Sequence, residues 1–211
     1  QDFTDDGIPD LLTDKSISEG VLDRRSEYHL YIGRRENGAL VYGAAPDGSI
    51  RSDGVQFDPL VVDVDGDGRM DLATPSTQLG LTRIVAALFS GKMGVDLDVY
   101  RMRPDGTYPE DSDYRTRFKV EFDLKTGLVR NPAVAIADFD GDGAAELLLQ
   151  EEDDALSLFP GRKDDELFGD EGRTVKLPLP RNGIMVEARD LDGDERADLL
   201  VRYGPADGAE R

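Results

Sequence analysis

Asp138-Phe-Asp-Gly-Asp-Gly-Ala-Ala-Glu146-Leu147 is the stretch of sequence that decides the fold of this chain. The pattern begins again at Asp63 and at Asp190, and a degenerate copy begins at Asp2. It places acidic side chains at positions 1, 3, 5 and 9 of a short loop, with glycine at most of positions 4 and 6. Carboxylates this close together repel one another strongly, so the pattern predicts a bound cation.

The chemistry of the donor atoms predicts that this cation is Ca2+. Glycine at positions 4 and 6 permits the positive φ angles of a tightly curled backbone. In such a loop the side chains at positions 1, 3 and 5 point to one side, the carbonyl of position 7 faces the ion, and position 9 closes the cage. A cage of six or seven oxygens suits Ca2+, whereas Mg2+ retains its waters. Zn2+ is disfavoured because the chain has no cysteine and one histidine.

We number the loops in chain order as loop 1 (residues 2–10), loop 2 (63–71), loop 3 (138–146) and loop 4 (190–198). Up to four Ca2+ ions are expected, one in each loop. The predicted ligands are Asp2, Thr4, Asp6, the Ile8 carbonyl and Asp10 in loop 1; Asp63, Asp65, Asp67, the Arg69 carbonyl and Asp71 in loop 2; Asp138, Asp140, Asp142, the Ala144 carbonyl and Glu146 in loop 3; and Asp190, Asp192, Asp194, the Arg196 carbonyl and Asp198 in loop 4.

The four loops differ in how well they match the pattern. Loops 2 and 3 are complete. Loop 4 has Glu195 at position 6, where holding a residue other than glycine in a left-handed conformation costs about 1–2 kcal/mol. Loop 1 has Thr4 in place of an acid at position 3. We therefore expect loop 1 to bind most weakly.

The residues around each loop predict strands and not helices. An EF-hand begins with the same pattern but places a bidentate Glu at position 12, on the exiting helix. Position 12 is Thr74, Leu149 and Val201 in loops 2, 3 and 4. Short apolar runs flank the loops, such as residues 134–137 and 147–149, and such runs are typical of buried strands. Each loop is therefore predicted to join two strands of a β-hairpin. A solvated Asp/Gly turn would explain one loop but not four with the same spacing.

A second repeated element follows the first three loops. It is an alternating strand that runs into a polar turn, at residues 28–33, 95–102 and 156–161. A fourth strand is predicted at residues 39–42, 115–124 and 174–179. The sequence thus predicts an all-β protein of four-stranded units, which is typical of propeller blades. As one domain, residues 1–211 would hold repeat units at about 1–54, 55–130, 131–181 and, in part, 182–211.

These units resemble FG-GAP repeats, also called VCBS repeats, which form the calcium-binding blades of integrin α-subunit propellers and of many bacterial surface proteins. The resemblance rests on the Asp-x-Asp-Gly-Asp-Gly-x-x-Asp-Leu signature and covers nearly the whole chain. It implies four-stranded antiparallel blades in which the calcium loop joins the first two strands. The family's propellers have about seven blades, whereas this chain holds three to four at roughly 50–60 residues each. We therefore expect a segment of a larger propeller, or ends that complete one another.

Composition limits the class of function. The net charge of -20 and the pI of about 4.3 argue against nucleic acid as a partner. The absence of cysteine excludes disulfides and thiol catalysis. The longest apolar run, residues 84–89, is too short to span a membrane. Because loops of this kind suit calcium-rich surroundings, an extracellular or cell-surface location is expected.

Catalytic signatures are weak, so the chain is predicted not to be an enzyme. The single histidine, His29, lies in an alternating strand, and the sequence has neither a nucleophile elbow nor a P-loop. The acidic runs at residues 151–154 and 164–166 are the candidates for a glycosidase pair. Charge runs beside turns more often form a solvated face.

Two kinds of binding function compete. The integrin resemblance implies a calcium-binding platform for protein interaction or adhesion, with a protein or cell-surface ligand as the partner. The alternative is a lectin-like propeller that binds a glycan, or an accessory module of a polysaccharide-acting enzyme, with Tyr108 and Tyr114 as exposed aromatic candidates. Open blade edges would also allow association with other chains.

One insertion, residues 77–94, interrupts the repeats. Apolar residues recur in it at helical spacing and predict a short helix: Leu79, Leu81, Ile84, Val85, Leu88 and Phe89. The helix either caps its own blade or forms, with Arg83 and Lys92, part of a partner-binding surface.

Overall fold

The computed structural model describes residues 1–18, 20, 23–78, 80–122, 129–163, 166–204 and 207, and it is mostly β. The strands are β1 (Leu11–Ser16), β2 (Arg25–Tyr31), β3 (Arg34–Glu36), β4 (Ala39–Val41), β5 (Gly48–Asp53), β6 (Val55–Gln56), β7 (Leu60–Val62), β8 (Asp71–Thr77), β9 (Lys92–Tyr100), β10 (Tyr114–Phe122), β11 (Val129–Arg130), β12 (Val134–Ala137), β13 (Glu146–Glu152), β14 (Ala155–Phe159), β15 (Arg173–Lys176), β16 (Val186–Arg189) and β17 (Asp198–Val201). Helix α1 is Leu81–Ser90, and a short 3-10 helix is Gly183–Met185. The predicted all-β class is confirmed.

Within the described residues the strands form five sheets, one of which is the separate hairpin of β3 and β4, and the other four follow one another along the chain. Sheet I has the order β1-β2-β5, sheet III the order β12-β13-β14-β15, and sheet IV pairs β16 with β17. Sheet II has the order β11-β10-β9-β8-β6, and β7 also pairs with β8. Loops 2, 3 and 4 each join the two strands of an antiparallel hairpin, as predicted: β7 and β8, β12 and β13, β16 and β17.

The chain divides into two compact units, and each has its own apolar core. Unit 1 comprises residues 1–63, 67–84 and 95–116, and unit 2 comprises residues 64–66, 85–94 and 117–211. In unit 1, Leu30 and Ile50 of sheet I share a core with Leu72 of sheet II. In unit 2, Leu148 and Leu156 of sheet III share a core with Val186 of sheet IV. In both units the core therefore lies between successive sheets.

The burial of individual strands follows their place in a sheet. In β5, alternate residues are buried and exposed, as expected for a strand with one face on the core. The central strand β13 is buried at four consecutive residues, from Glu146 to Leu149. A strand covered on both faces reads as a continuous apolar run, which explains why residues 147–149 stood out in the sequence.

A strand forms in the segment predicted at residues 39–42, but its predicted place as the fourth strand of the first repeat is wrong. This strand, β4, pairs among the described residues with β3 in a small separate hairpin, and the third strand of sheet I is β5. The reason is the turn at Asn37 and Gly38, whose φ angles of 52° and 82° suit a two-residue hairpin turn that closes locally. The strands predicted at 115–124 and 174–179 correspond to β10 and β15, with residues 123–124 outside the described part of the chain.

A repeated pair of contacts shows that β5 is the counterpart of β10. Asp47 immediately precedes β5 and accepts a hydrogen bond from the Ile32 backbone N–H at 2.9 Å, and Arg34 pairs with it at 2.6 Å. Asp113 immediately precedes β10. It accepts from the Arg101 N–H at 2.8 Å and pairs with Arg103, also at 2.8 Å. In sheets I and II, the aspartate directly before β5 or β10 therefore anchors that strand to the residues that follow β2 or β9.

Helix α1 forms within the predicted insertion, although Leu79 lies outside the described residues. Ala87 is the buried residue of this helix. Leu81, Val85, Leu88 and Phe89 lie on one face at helical spacing and are exposed, with Phe89 at 90%. The helix therefore packs against the protein at Ala87 and leaves an apolar face exposed among the described residues.

Truncation to alanine should lower stability much more in the buried core than on the exposed face of helix α1. Leu97→Ala, in a fully buried position of β9, should lower the free energy of unfolding by about 2–5 kcal/mol, because it removes packed volume. Phe89→Ala on helix α1 is the control and should change it by no more than about 0.5 kcal/mol. Urea unfolding in calcium measures both. A loss for Phe89→Ala as large as that for Leu97→Ala would show that the helix is a structural cap after all.

Candidate metal centres

All four loops have the same unusual backbone. Positions 4 and 6 have positive φ in every loop, as the glycine pattern predicted. The angles are 55° and 76° at Asp5 and Gly7, 74° and 85° at Gly66 and Gly68, 83° and 84° at Gly141 and Gly143, and 83° and 67° at Gly193 and Glu195. Even the two residues other than glycine adopt the left-handed form, which shows that the loop geometry prevails over their intrinsic preference.

The carboxylate at position 1 organises each loop from within. It accepts a hydrogen bond from the backbone N–H of position 6 in all four loops: Gly7 to Asp2 at 2.8 Å, Gly68 to Asp63 at 2.9 Å, Gly143 to Asp138 at 2.9 Å and Glu195 to Asp190 at 3.1 Å. Its other oxygen accepts from position 4 or 5. Position 1 is thus held in place by the backbone that curls around it.

The carboxylate at position 5 closes a smaller turn. It accepts from the N–H of position 7 in every loop: Ile8 to Asp6 at 2.8 Å, Arg69 to Asp67 at 2.9 Å, Ala144 to Asp142 at 2.8 Å and Arg196 to Asp194 at 3.0 Å. In loops 2 and 4 the arginine at position 7 also forms an ion pair with this carboxylate. The Arg196 guanidinium lowers the pKa of Asp194.

The acid at position 9 ties its loop to the sheet, a role that the sequence analysis missed. Asp10 is buried and accepts from the Phe3 N–H and the Gly33 N–H, both at 2.7 Å. Glu146 is buried and accepts from the Phe139 N–H at 2.7 Å and the Gly161 N–H at 3.3 Å. The first donor of each pair is position 2 of the loop, and the second lies two residues beyond a neighbouring strand.

Loops 2 and 4 share parts of this arrangement. Buried Asp71 accepts from the N–H of Met102 at 2.8 Å, again two residues beyond the neighbouring strand, here β9. In loop 4, Asp198 accepts from the position 2 N–H of Leu191 at 3.1 Å and is exposed. The glycines at 33 and 161 were the available sequence signal, but Met102 occupies the equivalent place in sheet II.

Carboxylate oxygens converge in three of the loops. Oxygens of the following acids lie within 4.8 Å of one another: Asp63, Asp65 and Asp71 in loop 2; Asp138, Asp140 and Glu146 in loop 3; and Asp190, Asp192 and Asp194 in loop 4. The other predicted carboxylates, Asp67, Asp142 and Asp198, stand outside these groups. In loop 1, which is fully described, Asp2, Asp6 and Asp10 do not form such a group.

The geometry and the donor chemistry fit Ca2+. Oxygens bound to one Ca2+ at about 2.3–2.6 Å can be no more than about 5 Å apart, so the three oxygens of each group are close enough to bind one ion together. Burial raises the pKa of Glu146, and the nearby charges of Asp140 and Asp138 raise it further. In loop 1, the Thr4 Oγ1 at position 3 is buried and has no hydrogen-bond partner among the described residues, as a ligand atom would.

Backbone hydrogen bonds join each loop to the next one. The N–H at position 8 donates to a carbonyl near the start of the preceding loop: Met70 to Phe3 at 2.8 Å, Ala145 to Val64 at 2.8 Å and Ala197 to Asp138 at 2.6 Å. The loops also approach closely, since a Cβ on Gly66 would clash with the Gly143 carbonyl. Loops 1 and 2 are therefore linked within unit 1, and residues 64–66, loop 3 and loop 4 are linked within unit 2.

The histidine, the two tyrosines and the acidic runs considered in the sequence lie outside the four loops. His29 lies with its Nε2 3.4 Å from Glu27 in β2. Tyr108 is buried and donates to the Met70 carbonyl at 3.0 Å, so the prediction that it is an exposed aromatic is wrong. Tyr114 is half-buried in β10. Of the acidic runs, Glu151 is hydrogen-bonded by Ser157, and Asp164 and Asp165 lie outside the described residues.

Removal of one predicted ligand should show whether a bound metal ion contributes to thermal stability. Asp65→Ala takes one carboxylate from the loop 2 group, so it should lower thermal stability in calcium and leave it nearly unchanged in EGTA. A site at 100 times its Kd contributes about 2.7 kcal/mol, which sets the scale of the loss. Asp111→Ala, at an exposed acid outside the loops, is the control. An equal loss for Asp65→Ala with and without calcium would show that Asp65 acts through the fold alone.

A glycine pair tests the contact between loops. Gly193→Ala introduces a left-handed alanine into open space and should cost about 1–2 kcal/mol. Gly66→Ala imposes the same backbone strain and adds the clash with the Gly143 carbonyl, so its loss should be distinctly larger. Urea unfolding of the two variants in calcium makes the comparison. Equal losses would mean that loops 2 and 3 are not held in contact.

Within the described residues, the helices are too short and too polar to cross a lipid bilayer.

Comparison with known proteins agrees with this geometry. A search of curated proteins found no match to the chain. Residues 138–201, which run from loop 3 through loop 4 to the end of β17, match the family described as FG-GAP-like repeat. The predicted resemblance to FG-GAP repeats is therefore confirmed for residues 138–201.

Proposed function

We propose that this protein is a calcium-binding segment of a β-propeller that acts outside the cell as a platform for protein interaction or adhesion. The observation that carries the proposal is the convergence of carboxylate oxygens in loops 2, 3 and 4 on one shared loop backbone. The FG-GAP-like match over residues 138–201 supports it, because repeats of this family suggest a propeller-type interaction module.

Ca2+ in these loops would neutralise the carboxylates where they converge. In loops 2 and 3 the converging acids are those at positions 1, 3 and 9, and in loop 4 they are those at positions 1, 3 and 5. The remaining acid of each loop and the carbonyl of position 7 complete the proposed set. Loop 1 has the same backbone but fewer carboxylates, so it takes Ca2+ most weakly.

The sheets are the proposed blades. Strands β7 to β10 in sheet II and β12 to β15 in sheet III pair in sequence order, as four-stranded blades do. A calcium loop joins the first two strands in sheets II, III and IV, and the same hydrogen bond recurs between successive loops. Among the described residues, β17 pairs with β16 alone, so an open edge is available for association.

The exposed face of helix α1 is the surface that we assign to a protein partner. Phe89 and its apolar neighbours on this face are exposed, although the chain is otherwise rich in acidic residues. Residues 72–95 contain neither Asp nor Glu, although the chain carries 45 acids, and they include Arg83 and Lys92. A partner with an apolar contact patch and acidic flanks would complement this surface in shape and charge.

Calcium uptake tests the proposed function directly. Protein stripped with EGTA and dialysed should bind Ca2+ in isothermal titration, with affinities of about 10⁻⁴–10⁻³ M, as suits an extracellular module. Mg2+ should bind more weakly, because it retains its waters. Absence of calcium uptake, or a preference for Mg2+, would contradict the proposal.

A further inference from the structure

A cleft of about 510 Å3 lies within unit 2, away from the calcium loops. Its walls are residues 117–121 of β10, residues 130–132 before β12, and residues 149–153 at the end of β13. Its size falls within the range of about 300–1,000 Å3 that is usual for small-ligand sites. The cleft is therefore large enough for a short oligomeric ligand.

The charges of this cleft are unlike those of the chain as a whole. Five cationic side chains line it, although the net charge of the chain is -20: Lys92, Arg117, Lys119, Arg130 and Arg181. Four acids also line it, namely Glu121, Glu151, Glu152 and Asp153. The cleft thus combines a local excess of cations with acceptors for hydrogen bonds.

Most of the acids are already engaged by neighbouring groups. Lys92 lies 2.7 Å from Glu121 and, through this hydrogen bond, lowers the pKa of that carboxyl. Arg130 lies 3.6 Å from Glu121 and 3.3 Å from Asp153. Glu151 accepts a hydrogen bond from Ser157, which lies outside the cleft lining. These contacts use Lys92 and Arg130 but neither Lys119 nor Arg181.

Arg117 has an interaction of its own, which leaves Lys119 and Arg181. Both are exposed, and within the described residues neither side chain forms an ion pair, although the backbone N–H and the nearby guanidinium of Arg181 lower the pKa of Asp207. The Arg181 carbonyl accepts from Arg130 Nε at 3.0 Å, so its backbone is fixed at the cleft wall. Two exposed cations that line one cleft attract an anionic group, because charge-assisted hydrogen bonds are the strong ones.

The other lining groups indicate what carries this anion. Phe118, which is half-buried, and Pro132 both line the cleft, so the cleft offers some apolar surface. Glu152 is exposed and, among the described residues, has no partner for its carboxylate, so it can accept hydrogen bonds from hydroxyl groups. A sugar ring presents both an apolar face and hydroxyl donors. A carboxylate or sulfate on the same ring would meet Lys119 and Arg181.

We propose that this cleft binds an acidic oligosaccharide, with Lys119 and Arg181 holding its carboxylate or sulfate group. A run of acidic residues in a peptide fits less well, because it brings several charges close to Glu152 and few hydroxyl donors. The lining contains no residue of the calcium loops or of helix α1 itself, although Lys92 belongs both to this lining and to the acid-free stretch around the helix.

Charge reversal with a matched control tests this site. The test variant is Lys119→Glu with Arg181→Glu, and the control is Arg173→Glu with Lys176→Glu, at exposed residues of β15 in the same unit. Both doubles change the net charge equally, so long-range repulsion of an anion is the same in the two. Circular dichroism in calcium confirms that each variant folds.

The probes are trigalacturonate, a sulfated dextran oligomer, neutral dextran and oligoglutamate, titrated by calorimetry at low salt. Wild-type protein and the control should bind trigalacturonate or the sulfated oligomer, and the test variant should bind about ten-fold more weakly or worse. The better acidic sugar identifies carboxylate or sulfate as the anchor. Binding of neither acidic sugar, equal weakening in the two doubles, or stronger binding of oligoglutamate would overturn the proposal.

Discussion

Repulsion between carboxylates that share one short loop is the constraint on which the rest of this structure depends. The loop backbone brings oxygens of Asp138, Asp140 and Glu146 within 4.8 Å of one another, and Glu146 is buried while Asp140 is exposed. The positions are fixed by hydrogen bonds to the backbone and not by contacts among the acids. Bringing these charges together costs free energy that a bound cation would offset, so the arrangement could hold a metal ion.

The same carboxylates link the loops to the sheets. Each buried acid at position 9 spans two backbone donors, one in its own loop and one beyond a neighbouring strand, as Asp10 does with Phe3 and Gly33. The position 8 N–H then joins each loop to the preceding one. A change in charge at one loop therefore acts on the strands that it joins and on its neighbour. This gives the proposed ion a structural role that extends over successive sheets.

The sequence predicts the features that depend on local spacing. Glycine at positions 4 and 6 predicted the positive φ angles, and the apolar runs beside each loop predicted the hairpins of β7 with β8 and β12 with β13. Features that depend on distant contacts were missed. The role of Asp10 depends on Gly33 across the sheet, and the burial of Tyr108 depends on Met70. The fourth strand of the first repeat, at about residues 1–54, was misplaced because residues 39–42 are more apolar than β5, which contains Gly and Ser.

Hydrogen exchange at the amides that join the loops tests the central claim most directly. The N–H groups of Met70, Ala145 and Ala197 donate the hydrogen bonds between loops, and Leu148 within β13 supplies an internal reference. NMR-detected exchange would be compared in calcium and in EGTA under conditions where the protein stays folded. The account predicts that the three junction amides lose protection when calcium is removed while the Leu148 amide keeps it. Equal protection of the junction amides with and without calcium would contradict the claim that a cation in the loops holds the sheets together.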